Sequence, residues 1–232
     1  MRLSASIAAA FLTAAAFAAS ARGQLQAGPT LIELPTGAAA GRMTLSNSGD
    51  APVAAQVRVY AWRQDGGADR LDPTGDVVAS PAIVEVAAGA EQVVRLVRQG
   101  PEPAGVDRVY RVVVEELPGA GQDNAINIRM RYVLPMFLRA ADARPPAPAC
   151  SLRAASLSCT NGGGRAAQLG ASRLSGADGR QAVLSSGLLG YVLPGATRTW
   201  ELDPALVIPG GDLALETQIN GQSATLPISR AP

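Results

Sequence analysis

Few residues in this chain suit acid–base or covalent chemistry, and what is missing narrows the choice quickly. There is no histidine among the 232 residues, which removes the commonest general base and the commonest transition-metal ligand. Ser-His-Asp and Cys-His mechanisms and histidine-containing zinc sites are excluded. The 20 basic residues are all arginine, so Ser-Lys and Schiff-base chemistry go as well. The adjacent acids Glu115 and Glu116 remain for glycosidase-like work. Neighbours on a strand point to opposite faces, so these two cannot flank one bond without a bulge. We therefore expect no catalytic residues, no metal and no cofactor. The only two cysteines are Cys150 and Cys159. In an exported protein a disulfide is the default, worth about 2.5–3 kcal/mol in the chain-entropy model. A redox pair is the alternative, but the spacing is far from C-x-x-C.

The N-terminus argues for export. Met1-Arg2 gives a short positive start, Ile7–Ala19 is apolar apart from Thr13, and Ala19-Ser20-Ala21 offers small residues for signal peptidase. We read residues 1–23 as a secretory signal, with cleavage expected after Ala21 or a residue or two later. The run is too short and alanine-rich to span a bilayer comfortably, and no later stretch reaches that length. The mature protein is expected to lack a membrane anchor. Formal net charge is +1, and no basic patch with interleaved aromatics occurs, so nucleic acid is not an expected partner.

Val, Ile, Leu and Thr alternate through the chain, with Gly or Pro interrupting every few residues, an all-β pattern. Strands are expected at 30–34, 42–47, 53–63, 80–86, 91–98 and 109–117. The longest stretch follows. Ile126, Ile128, Met130, Tyr132, Leu134, Met136 and Leu138 recur at every second position. Ile126 to Leu138 would reach about 40 Å as one strand, far beyond the usual length. The opposite row is Asn127, Arg129, Arg131, Val133 and Pro135. Such a strand either faces its own core or is lent to a partner.

Ala140–Ala149 is rich in Pro and Ala and lacks bulky residues. It divides the chain into a domain at 24–140, a linker at 141–149 and a smaller β domain at 150–232. Strands are expected there at 151–157, 166–174, 181–184, 198–202, 213–219 and 223–228. Asn220-Gly221 between the last two signals a type I′ hairpin.

Several segments occur in a telling order: Thr44-Leu-Ser-Asn-Ser-Gly-Asp-Ala-Pro52, Val57-Arg-Val-Tyr-Ala-Trp-Arg-Gln64, Ser80-Pro81, Gly89–Leu96, Tyr110–Pro118 and Ile128–Phe137. In this the chain resembles the periplasmic chaperones of chaperone–usher pili, most closely the archaic branch that serves spore-coat-protein-U-like subunits. The resemblance implies two immunoglobulin-like sandwiches in an L or boomerang. It also implies a non-enzymatic chaperone for pilus or spore-coat-U-like subunits that delivers them to an outer-membrane usher. By donor-strand complementation, Ile126, Ile128, Met130, Tyr132 and Leu134 would fill the groove of an incomplete subunit.

Two departures stand out. Many family members anchor the subunit's terminal carboxylate with a first-strand Arg and a long-strand Lys; here those places read Leu31 and Pro135. Arg95, Arg131 and Arg129 are the candidate replacements, since Arg can hold a carboxylate bidentately. Glu116 and Arg139 match an ion pair that the family uses near the domain junction, with Asp203 or Asp212 as a possible third member. The alternative to a chaperone is an exported structural or adhesive β-protein that self-assembles.

Overall fold

In a computed structural model, which describes residues 24–119 and 128–230, the alternating pattern has become strands almost throughout. In place of the first expected strand, 30–34, there are two, of which only the second overlaps it. β1 (Leu25–Gly28) and β2 (Ile32–Leu34) belong to different sheets, and Pro29 between them has no N–H to continue a ladder. β3 (Ala40–Asn47) and β4 (Val53–Asp65) bury every second residue, among them Met43, Leu45, Val53, Ala55 and Val57. β5 (Ala68–Pro73) forms an unexpected hairpin with β4; its residues are mostly exposed, so no alternation marks it. The expected strand 80–86 also divides. β6 (Val77–Ser80) and β7 (Ile83–Val86) separate at Pro81 and join different sheets. β8 (Glu91–Arg98), β9 (Arg108–Glu116) and β10 (Arg131–Leu138) complete the first domain.

One sheet runs β1-β3-β8-β6, the other β2-β10-β9-β4-β5 with β7 on β4. They enclose a core that includes Leu25, Met43, Leu45, Val57, Leu96, Tyr110, Val112, Val114 and Met136. The Tyr110 hydroxyl reaches the rim and donates to Asp76 at 3.0 Å. Burial first, then that bond, pushes its pKa up to about 12.

The second domain is one continuous path of seven strands, ordered β14-β13-β16-β17-β11-β12-β15. These are β11 (Pro148–Arg153), β12 (Ser156–Asn161), β13 (Ala167–Gly176), β14 (Gln181–Val192), β15 (Thr197–Glu201), β16 (Leu213–Ile219) and β17 (Gln222–Arg230). They wrap Leu152, Leu157, Leu169, Leu174, Val192 and Leu215. The expected strand 151–157 is instead a hairpin turning at Ala154, which takes φ +48°. That turn sets Cys150 directly opposite Cys159, and the two form a disulfide. Asn220 and Gly221 both take positive φ, 51° and 82°, as a type I′ hairpin requires. Strand β14 has 12 residues, well beyond the expected 181–184.

A buried asparagine ends a strand in the same way in each domain. Asn47 Oδ1 accepts from Gln24 N and Gly49 N, while its Nδ2 donates to Ala51 O and Val86 O. Asn161 repeats the scheme with Ala147 N, Gly163 N, Arg165 O and Val192 O. Each side chain thus ties its own turn to two other segments, so backbone groups that leave the ladder still find partners.

Candidate functional site

Strand β10 pairs with β9 along its whole length, from Arg131 opposite Glu115 to Leu138 opposite Arg108. On its other side, β2 pairs only with Met136, Phe137 and Leu138. From Arg131 to Pro135 that edge has no strand partner among the described residues. Its outward N–H and C=O groups are a template for another chain. Upstream, Met130 is held in line with β9. Its C=O accepts from Glu116 N at 3.0 Å, and its N–H donates to the Glu116 carboxylate at 3.0 Å.

The apolar row changes surroundings along this edge. Ile128 is 80% exposed and Met130 41%, whereas Leu134 is 7% exposed and Met136 0%. Tyr132 stands at the boundary, half-buried, and its O–H donates to Leu25 O at 2.5 Å. That bond ties the free edge to the opposite sheet. Leu134, expected among the donor residues, packs into the domain's own core. Ile126 lies outside the described residues.

The three arginines expected to hold a carboxylate do not come together. Arg95 sits on β8 between buried Val94 and Leu96, on the outer face of the sheet that lacks β10. Its cross-strand neighbours are Arg42 and Ser80. Arg129 is exposed beside the free edge. Arg131 pairs with Glu115 at 3.2 Å, and the same carboxylate also pairs with Arg58.

The expected Glu116–Arg139 pair is not formed. Glu116 ends β9 while Arg139 follows the far end of β10, so the nine-residue strand lies between them. Arg139 bonds Asp107 at 2.5 Å and also Glu33. Burial works against its charge, but the hydrogen bonds to Asp107 and Glu33 outweigh it and raise its pKa. The Asp107 side chain is fully covered; it also accepts from Ala140 N at 2.9 Å. Its backbone N–H donates across the junction to Gly164 O at 2.9 Å. Asp203 is engaged elsewhere, accepting from Ala205 N in a short 3-10 turn.

Beside this network Trp62, Phe137 and Tyr191 pack against one another, with ring centroids 5.4 to 6.5 Å apart. Gln64 bridges the domains with both ends of its amide, donating to Tyr191 O at 2.7 Å and accepting from Leu193 N at 2.9 Å. The Arg111 guanidinium lies 3.5 Å from the Trp62 ring centroid. Nothing in the local sequence flags it, because Trp62 meets Arg111 only through the pairing of β4 with β9. Asp107 was missed for a related reason: its partner Arg139 lies 32 residues away on another segment. Among the described residues no group of three or more Cys, Asp or Glu could hold a metal.

Solved structures share this architecture. A chain of the pre-assembly complex between the chaperone CsuC and the tip adhesion subunit CsuE, from archaic chaperone–usher Csu pili of Acinetobacter baumannii, matches with a TM-score of 0.73. The match covers 90% of this chain and 100% of that one at 22% identity. The Pseudomonas aeruginosa CupB2 chaperone gives 0.61 at 17% identity, covering 89% and 100%. A chain of the Salmonella enterica complex of the SafA pilin with the SafB chaperone gives 0.62 at 18%, covering 88% and 95%. At such identities the likeness is one of fold, two β domains joined as here. No curated protein matches the sequence. The description "Pili and flagellar-assembly chaperone, PapD N-terminal domain" matches residues 24–143, which hold both faces of the sandwich and the whole of β10. That is more than half of the 232 residues, and the chain belongs to this family of pilus-assembly chaperones.

Proposed function

We propose that this chaperone acts in the periplasm, after removal of residues 1–23, by lending the segment from Ile126 to Tyr132 to an incomplete pilus subunit. One observation carries the reading: the exposed Ile128 and Met130 continue into an edge that, from Arg131 to Pro135, has no strand partner among the described residues. A subunit short of one strand would gain backbone pairing from the edge and side-chain packing from the row. Arg129 and Arg131 flank that strand and would meet acidic groups of the subunit. The clients are pilus or spore-coat-U-like subunits of an archaic system, handed on to an outer-membrane usher. No cofactor takes part.

Co-expression with pilin-like subunits of the same organism, followed by affinity capture of this chain, tests it. A one-to-one complex should be recovered from the wild type. Replacing Ile128 and Met130 together with Asp should abolish recovery while the melting temperature stays within a degree or two. A variant that unfolds instead would place those side chains in the chaperone's own core. A purified chain that forms polymers by itself, with no client, would favour the self-assembling reading.

A further inference from the structure

Strand β5 extends the first sheet without serving a core: none of its residues belongs to a buried cluster in either domain. The turn before it does have a partner. Gly66 and Gly67 close the β4–β5 hairpin with φ +57° and +78°, the signs that a type I′ turn needs. Gly67 O accepts from Thr199 N at 3.0 Å and from the Arg198 guanidinium at 3.2 Å. Both donors belong to β15, an end strand of the second sheet, so the Thr199 N–H has no further strand to pair with. The approach is close enough to require glycine. A Cβ on residue 67 would lie 2.7 Å from Thr199 Oγ1 and 2.9 Å from Thr199 Cβ. The Thr199 side chain is itself held, with its hydroxyl 2.9 Å from Ser158 Oγ.

Among the described residues, backbone also meets backbone between the domains where Asp107 N donates to Gly164 O at 2.9 Å. In the order β2-β10-β9-β4-β5, the Gly67 contact lies at one edge of the first sheet. At the other edge, beside β2, is a gap between the domains lined by Leu31, Phe137, Gln168 and Asn220. Trp62 on β4 and Phe137 on β10 stand between these edges and pack on Tyr191 of the second domain. A domain that rests on this aromatic cluster and is held at the β5 edge cannot rock. Once released at β5, it could pivot on the cluster and change the width of the gap at β2. The free edge of β10 runs toward that gap, since it stops where β2 begins. We propose that Gly67 is a positioning residue: the hairpin tip seated on β15 sets the angle between the domains at which a strand docked on β10 also meets the second domain. The role in docking rests on the reading above, whereas the setting of the angle does not.

The test uses the full exported chain and two readouts. Residual dipolar couplings of the backbone amides report how the domains are oriented, without any client. Capture of a co-expressed pilin-like subunit, scored per folded molecule, reports docking. In the wild type one alignment tensor should fit both domains. Gly67→Ala should require separate tensors and lower capture at least ten-fold. Gly66→Ala imposes a similar left-handed strain, but its Cβ meets nothing within 4 Å. It should keep one tensor and capture within two-fold of the wild type. Thr199→Gly removes both atoms in the way. Combined with Gly67→Ala, it should restore the single tensor and bring capture within two-fold of Thr199→Gly alone. If Gly67→Ala does not fold, Thr199→Pro decides. It deletes the N–H that reaches Gly67 O, at an edge position where proline is tolerated, and should also split the tensors. A single tensor in Gly67→Ala, equal losses from Gly66→Ala and Gly67→Ala, or no rescue by Thr199→Gly overturns the assignment. Split tensors with undiminished capture overturn the role in docking. A wild type that captures no subunit sinks the docking reading and that role with it, while the tensors still show whether the hairpin sets the angle.

Discussion

Two halves of one side-chain row do opposite work. Leu134, Met136 and Leu138 are buried between the sheets, while Ile128 and Met130 on the same face of the same run stand in solvent. Residue type does not distinguish them, since a methionine occurs in each half. What differs is what lies opposite. The buried half faces the second sheet, and from Met136 onward it is flanked by β2; in the exposed half Met130 meets only the end of β9, at Glu116, among the described residues. Tyr132 marks the change, with its ring against the core and its hydroxyl on Leu25 O. A row that supports its own domain at one end and is offered at the other couples the two tasks: a well-packed inner half holds the outer half straight.

The sharpest way to break this comparison is to truncate one methionine from each half. Met136→Ala should cost roughly 2–5 kcal/mol of first-domain stability, read by denaturant unfolding. Met130→Ala should change stability by no more than about 0.5 kcal/mol, as exposed positions do. Similar losses for both would mean that the halves are not distinct. Next in size is the Cys150–Cys159 bond, which lies in neither half. Cys150→Ser with Cys159→Ser should cost about 2.5–3 kcal/mol, confined to the second domain. Intact-mass analysis without reductant should find the wild type two hydrogens lighter than its reduced form. Two alkylatable thiols would refute the pairing.

A smaller effect separates the halves by pH. Tyr110 lies opposite Met136 and holds its proton up to about 12 in the folded state, against about 10 when unfolded. Above pH 10 the unfolded chain releases this proton first, so stability is intact below pH 10 and falls as pH rises toward 12. The loss should be on the order of 1–2 kcal/mol, and Tyr110→Phe should flatten it. A wild-type melting curve indifferent to pH across that window would show that the inner half is not braced there. The least effect is expected at the boundary. Tyr132→Phe removes one hydrogen bond and should cost about 1 kcal/mol. Amide exchange should then quicken in β1 and in the first residues of β10; faster exchange only in β9 would contradict the placement.

Much of this could be read in the sequence, because period-two alternation is a local signal. The disulfide followed from the cysteine count and the export signal, and Asn220-Gly221 announced its own turn. Other features were hidden for definite reasons. The chain changes sheets at Pro29 and at Pro81, and nothing local says so. β5 is exposed on both faces and carries no apolar alternation. The turn at Ala154 lacks the Gly, Asn or Asp that usually marks one. The apolar row was visible from its spacing; where it passes from solvent to core was not, because that depends on where β2 stops. The ion pairs were least legible. Arg139 was assigned Glu116 by resemblance, yet its partners come from Glu33 and Asp107, on segments brought together only by the fold.

Gln64 has a consequence for how the two domains move. A residue in a neighbouring strand offers one donor and one acceptor side by side; the Gln64 amide offers the same pair to Tyr191 and Leu193. The second domain is thus stitched to the first by a rung built from a side chain. Sliding or hinging the domains would break both bonds at once, beside an aromatic cluster that would also have to open. The molecule should therefore behave as a rigid bracket and not as two bodies on a tether. A bracket whose angle is fixed before a partner arrives spends less entropy on meeting it.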